Sequence, residues 1–161
     1  MIVLVGFMGA GKSTVGRRLA QRIDVPFVDS DDEIVARSGR AIADVFRQDG
    51  EPVFRALEQS VILDLLTGAD AVVALGGGAI ETPAVREALT GHDVVYLAVT
   101  LEQALVRVGG DAQRPVLDDP ALPQRFSARA RLYEQVASVT LDAGDATPDD
   151  LVDQVVERLG L

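Results

Sequence analysis

The stretch Gly6-Phe7-Met8-Gly9-Ala10-Gly11-Lys12-Ser13-Thr14 follows directly on the apolar run Ile2-Val3-Leu4-Val5 and leads into a segment of helical periodicity. It fits the pattern G-x-x-x-x-G-K-[ST], a loop that joins a buried strand to a helix and wraps nucleotide phosphates. Crowded phosphate oxygens can be surrounded by backbone N–H groups only where side chains do not intrude, which accounts for Gly6, Gly9 and Gly11. Lys12 can reach the outer phosphates, and Ser13 supplies a hydroxyl suited to Mg²⁺. The helix opening at Gly11 turns its positive end, about half an elementary charge, on the anion. Of fifteen basic residues only Lys12 is lysine, so a chain that otherwise uses arginine keeps a compact ammonium at this point.

Strand-like runs at residues 2–5, 26–28, 71–75, 93–97 and 139–141 alternate with amphipathic helical segments. That alternation predicts an α/β domain built on a five-stranded, mainly parallel sheet. A length of 161 residues suits one domain spanning residues 1–161. The net charge of −10 repels nucleic acid and anionic membranes, so an anionic small ligand must be captured by local cations. Cysteine is absent, which excludes disulfides and thiolate metal sites. No secretory leader or spanning segment is visible, and a cytoplasmic location is expected. The lone His92 sits in a polar turn before residues 93–97 and reads as a surface residue, which leaves general-base work to carboxylates.

Ligands of open α/β sheets bind at the carboxyl ends of the strands. There the second strand runs into Asp29-Ser30-Asp31-Asp32-Glu33, where Ser30 is expected to cap a helix with Glu33 reaching back to it. Asp29 is a candidate for holding the waters of Mg²⁺, and Asp31 an acceptor or base for a substrate hydroxyl. Acidic residues also suit a helix N-terminus for electrostatic reasons alone, and Asp32 reads that way. Helical segments over about residues 30–60 form an insertion placed to bind an acceptor; within it, Arg55 and Glu58 read as an ordinary surface pair. Gly76-Gly77-Gly78 follows the third strand and implies either close approach of backbone to a ligand or a turn needing positive φ. Between residues 109 and 123 the chain has no clear period. Its Gly and Pro punctuation around Arg114 suggests a lid over the phosphates rather than a disordered connector. Arg125, Arg129 and Arg131 lie on a later helix, from which one or two could face the cleft.

Residues 6–17, Asp29-Ser30-Asp31, Ser38-Gly39 with Ile42, Phe54-Arg55 with Glu58, Gly76-Gly77-Gly78-Ala79, Arg114-Pro115 and residues 129–133 occur in an order that closely resembles bacterial shikimate kinases. These enzymes have the nucleoside-monophosphate-kinase type of P-loop fold. The resemblance implies a three-layer α/β/α fold with an acceptor-binding insertion and a lid. It also implies transfer of the ATP γ-phosphoryl group to the 3-hydroxyl of shikimate, on the route to chorismate and the aromatic amino acids, by a monomer using Mg²⁺. By the same resemblance Arg55 and Arg129 hold the shikimate carboxylate, Asp31 takes hydrogen bonds from ring hydroxyls and can act as base, and the backbone of Gly76, Gly77 and Gly78 lines the pocket. Gly9, Ala10, Gly11, Lys12, Ser13 and Thr14 bind ATP, Lys12 and Arg114 stabilise the transferring phosphoryl group, Ser13 and Asp29 organise Mg²⁺, and Arg107 lies against adenine. Where the family often has Asn-Pro in its adenine loop, this chain has Ala146-Thr147-Pro148. The competing readings are a kinase for another polyol acid such as gluconate, a kinase for a nucleotide, and a nucleotide-binding switch without an acceptor.

Overall fold

The computed structural model describes residues 1–109 and 119–161. Its centre is a sheet of order β2-β3-β1-β4-β5, formed by β1 (Ile2–Val5), β2 (Phe27–Asp29), β3 (Val72–Ala74), β4 (Asp93–Ala98) and β5 (Val139–Asp142). The four pairings are all parallel, with Val3 opposite both Val73 and Val94, Val28 opposite Val73, and Val95 opposite Val139. A parallel strand paired on both sides and covered on both faces has no solvent side. That is why Ile2-Val3-Leu4-Val5 is apolar and buried at every position.

The helices are α1 (Lys12–Arg22), α2 (Ser30–Ser38), α3 (Ile42–Asp49), α4 (Glu51–Leu66), α5 (Pro83–Ala88), α6 (Leu101–Val108), α7 (Leu122–Val136) and α8 (Pro148–Leu159), with a 3₁₀ turn at Ala79–Glu81. α1 and α8 pack together over one face of the sheet, while α4, α5 and α7 gather with the 3₁₀ turn over the other, giving three layers. α1 buries Val15, Leu19 and Ala20, and its Arg17, Arg18 and Arg22 pair outward with Asp32, Asp149 and Asp153. Beside the main core, Ile34, Val45, Phe54 and Val61 form a second apolar cluster that locks α2, α3 and α4 to one another. Full burial of such a side chain contributes about 1.5–3 kcal/mol, so the insertion has a small core of its own from which to hold side chains over the sheet edge.

Parallel strands point their carboxyl ends at one edge. The loop after β1, the start of α2 after β2 and the glycines after β3 are therefore neighbours, whereas His92 precedes β4 at the opposite edge. The second strand runs one residue later than expected, which draws Asp29 into the ladder opposite Ala74. Its helix cap shifts with it. Asp29, in extended conformation, is the N-cap of α2 and its carboxylate accepts from the Asp31 N–H at 3.0 Å, while Ser30 is already helical. A carboxylate is the stronger acceptor, and the Ser30 hydroxyl is turned inward, fully buried, to accept from the Gly76 N–H at 2.9 Å. Among the described residues no helix is long and apolar enough to cross a membrane.

Candidate active site

The phosphate loop leaves β1 at Gly6 and ends at Gly11, the N-cap of α1, at φ 91° and ψ 13°. Gly9 is also left-handed, at φ 77°, and a Cβ there would stand 2.8 Å from the Ala104 carbonyl oxygen. Neither position accepts a side chain without strain. The loop and the first turn of α1 thus open onto a cleft lined by Gly9, Gly11, Lys12, Ser13 and Thr14, with Ala10 buried behind them. Lys12 Nζ donates to the carbonyl oxygens of Gly6 at 2.8 Å and Phe7 at 3.1 Å, which folds the ammonium over the loop. Arg107 on α6 donates to the carbonyl oxygens of Gly9 at 3.3 Å, Ala143 at 2.7 Å and Gly144, tying the phosphate loop to the chain after β5.

At the mouth of the loop Ser13 Oγ donates to Asp29 Oδ2 at 2.6 Å. Hydroxyl and carboxylate are hard oxygen ligands, and Mg²⁺ takes one or two such protein groups, leaving its other positions to water and phosphate. The pair fits that ion, and among the described residues no cluster of three His, Cys, Asp or Glu side chains offers another metal site. Asp31, in the first turn of α2, lies over Gly76, where a Cβ would come 2.5 Å from Asp31 Oδ1. At Gly78 a Cβ would come 2.3 Å from Arg55 Nη2. None of Gly76, Gly77 and Gly78 has positive φ, so close approach, and not turn geometry, accounts for Gly76 and Gly78, while a Cβ at Gly77 would meet its nearest neighbours at an ordinary 3.5–3.6 Å.

Arg55 Nη1 donates to Glu58 Oε2 at 2.6 Å, and Glu58 is only 1% exposed. This corrects the expected surface pair. The face of α4 that carries Phe54, Glu58, Val61 and Ile62 is buried, and Glu58 lies beneath the glycine loop, 3.2 Å from where a Gly76 Cβ would be. Burial pushes the Glu58 carboxyl above its ordinary range, the Arg55 guanidinium pulls it back in part, and Asp31 raises it further. Removing one partner of a buried pair costs about 3–5 kcal/mol, so Glu58 fixes Arg55 firmly. From α7, Arg129 is 8% exposed and donates from Nη2 to Glu81 Oε2 at 2.9 Å. One turn on, Tyr133 donates to the Gly77 carbonyl oxygen at 2.5 Å, and burial raises its phenol so that it stays a neutral donor.

Asp31, Gly76, Gly77, Gly78 and Arg129 line both the phosphate cleft, of about 630 Å³, and an adjoining chamber of about 450 Å³ whose walls add Arg55, Glu58 and Glu81. The two spaces suit a nucleotide's phosphates beside a small polar molecule. Arg125 also reaches the chamber and pairs with Asp119 at 2.8 Å, whereas Asp32 stays at the surface, 3.7 Å from Arg17. Arg114 lies outside the described residues, as does most of the 109–123 segment.

The family model for Shikimate kinase matches residues 8–160. The chain belongs to the shikimate kinase family. Shikimate kinase of Mycobacterium avium strain 104 is 44% identical over 161 residues, covering 98% of this chain and 92% of that one. Shikimate kinase of Rhodococcus jostii strain RHA1 is 42% identical, covering 98% and 96%. Shikimate kinase from Acinetobacter baumannii in complex with shikimate superposes with a TM-score of 0.90 at 37% identity, covering 98% of this chain and 91% of that one. The five-stranded sheet and its helical layers are thus this family's P-loop fold over nearly the full length.

The sequence does not single out Glu81 or the hydroxyl of Tyr133 as parts of the site. Glu81 precedes Thr82-Pro83 and looks like the leader of α5, and Tyr133 falls on the apolar stripe of α7. A signal existed for the tyrosine alone: a buried phenol needs a partner, and a glycine carbonyl at a strand end is a natural one.

Proposed function

We propose that the chain carries out its family's reaction, ATP-dependent phosphorylation of shikimate at the 3-hydroxyl, with the donor in the phosphate cleft and the acceptor in the adjoining chamber. The shared wall carries this reading: an acceptor hydroxyl resting on Asp31 stands beside the phosphate loop, because Asp31 borders both spaces. Phosphoryl transfer depends on in-line alignment and on stabilising charge spread over the phosphoryl oxygens. The backbone N–H groups from Gly9 to Thr14 cradle the phosphates, and Lys12 turns from the Gly6 and Phe7 carbonyls onto the outer ones. Ser13 and Asp29 would hold Mg²⁺, which when bound neutralises phosphate charge.

Arg55 and Arg129 present planar forks to the acceptor's carboxylate, Asp31 accepts a hydrogen bond from the attacking hydroxyl and takes its proton, and Gly76 to Gly78 let the ring lie close to backbone. Arg107 borders the adenine side, and by the family resemblance Arg114 acts on the transferring phosphoryl group. α2 to α4 form the acceptor-binding insertion of a single domain, acting as a monomer in the cytoplasm. The relative solved with shikimate bound supports the choice of acceptor. ADP formation measured in parallel with shikimate, gluconate and nucleoside monophosphates tests the assignment. Turnover is expected with shikimate, and its absence there would overturn the reading.

A further inference from the structure

Arg55 and Arg129 come from different helices, yet one carboxylate reaches both. Glu81 Oε2 lies 2.9 Å from Arg129 Nη2 and 3.7 Å from Arg55 Nη2. The Glu81 side chain is 37% exposed, against 21% for Arg55 and 9% for Arg129, so it approaches the two guanidinium groups from the solvent side and can swing back into water. Glu58 and Glu51 already pair with Arg55. Glu81 therefore places a carboxylate where the two arginines converge. It satisfies the fork of Arg129 only in part: Arg129 Nε is buried with no hydrogen-bond partner among the described residues. A carboxylate lying flat on that fork would take Nε and Nη2 together.

We propose that Glu81 is an internal competitor, which occupies the arginine pair while the chamber lacks an acceptor and is displaced by the acceptor's own carboxylate. The inference rests on the acceptor assignment above. The exchange is charge-neutral: one carboxylate leaves the guanidinium groups as another arrives, so the buried Arg129 is not left without a counter-charge, while Arg55 keeps Glu58 throughout. A polyol without a carboxylate gains nothing from the pair, because it has no group with which to replace Glu81.

Steady-state kinetics of the wild type, Glu81→Gln and Glu81→Ala test this with shikimate and with the triol of the same ring that lacks the carboxylate. Thermal melts of each variant separate folding from binding; the side chain lies outside both apolar clusters, and the glutamine variant keeps its shape. The KM for shikimate is expected to fall about three- to tenfold in both variants, while the KM for the triol does not fall with it. An unchanged or raised KM for shikimate in a variant that melts like the wild type would overturn the proposal. An equal fall for the triol would overturn it too, since that reports added space and not a freed arginine pair. Wild-type protein inactive on shikimate would instead sink the acceptor assignment, and this inference with it.

Discussion

Replacing Gly78 by alanine separates holding the acceptor from holding the fold. Gly78 sits at φ −88° and ψ −13°, a conformation any L-residue adopts, so the backbone is not strained by the change. The added Cβ, however, would stand 2.3 Å from Arg55 Nη2 and 2.5 Å from Nη1, where ordinary contact begins near 3.4 Å. The guanidinium must retreat by about 1 Å. It is the far end of a long side chain and Glu58 keeps it within reach, so the expected stability loss is about 1 kcal/mol, or about 2–4 °C in Tm at this chain length. The acceptor loses more. A displaced charge-assisted hydrogen bond is worth about 1.5–3 kcal/mol, which raises the KM for shikimate about ten- to hundredfold. An ADP-coupled assay with shikimate varied at saturating ATP reads this directly, with a thermal melt alongside. A KM within about twofold of wild type would refute the idea that Arg55, at its observed position, holds the acceptor. Gly77→Ala is the internal reference: its Cβ would meet its nearest neighbours at 3.5–3.6 Å, so its loss is expected to be the smaller of the two.

Asp31→Asn is expected to lower turnover at least about a hundredfold while nucleotide titration still detects ATP binding; wild-type turnover would remove Asp31 from its role. Tyr133→Phe leaves the Gly77 carbonyl without its 2.5 Å donor and is expected to cost about 1–3 kcal/mol in denaturant unfolding, and an unchanged midpoint would count against that bond. The Glu58 carboxyl is raised in the folded state, so its contribution to stability is present below the ordinary glutamate value of 4.5 and is lost as pH rises through the raised folded value. Unfolding measured across that range should therefore show the wild type losing stability with rising pH relative to Glu58→Gln. A difference independent of pH would contradict the raised carboxyl.

What could be read from the chain alone was what local pattern dictates. The phosphate loop is a contiguous motif between a buried run and a helix, and the strands announce themselves by length and apolarity. Misreadings arose where the deciding partner was distant. Asp29-Ser30 offers two adjacent caps, and the choice between them depends on the Gly76 N–H, 46 residues further on, which claims the serine. The Arg55 and Glu58 spacing fits a surface pair equally well. Only the packing of α4 under the glycine loop makes it a buried one. The two readings of Gly76-Gly77-Gly78 were separable only once backbone angles were known. Only the family resemblance points to Arg107, which carries no local signal because its partners lie in loops far from it in the chain.

The strand order bears on how the molecule loosens. β1 has a neighbour on each side, whereas β2, which carries Asp29, pairs with β3 alone at the rim of the sheet. Local opening generally needs least free energy at the margins of a fold and most at its centre. Amide exchange at Ile2–Val5 is therefore the exchange that reports global unfolding, while Phe27–Asp29 and the start of α2 exchange through smaller fluctuations. Asp29 can therefore shift with the rim strand while Ser13, on the helix that follows the central strand, keeps its place, and that ordering is set by the sequence of strands across the sheet more than by any one side chain.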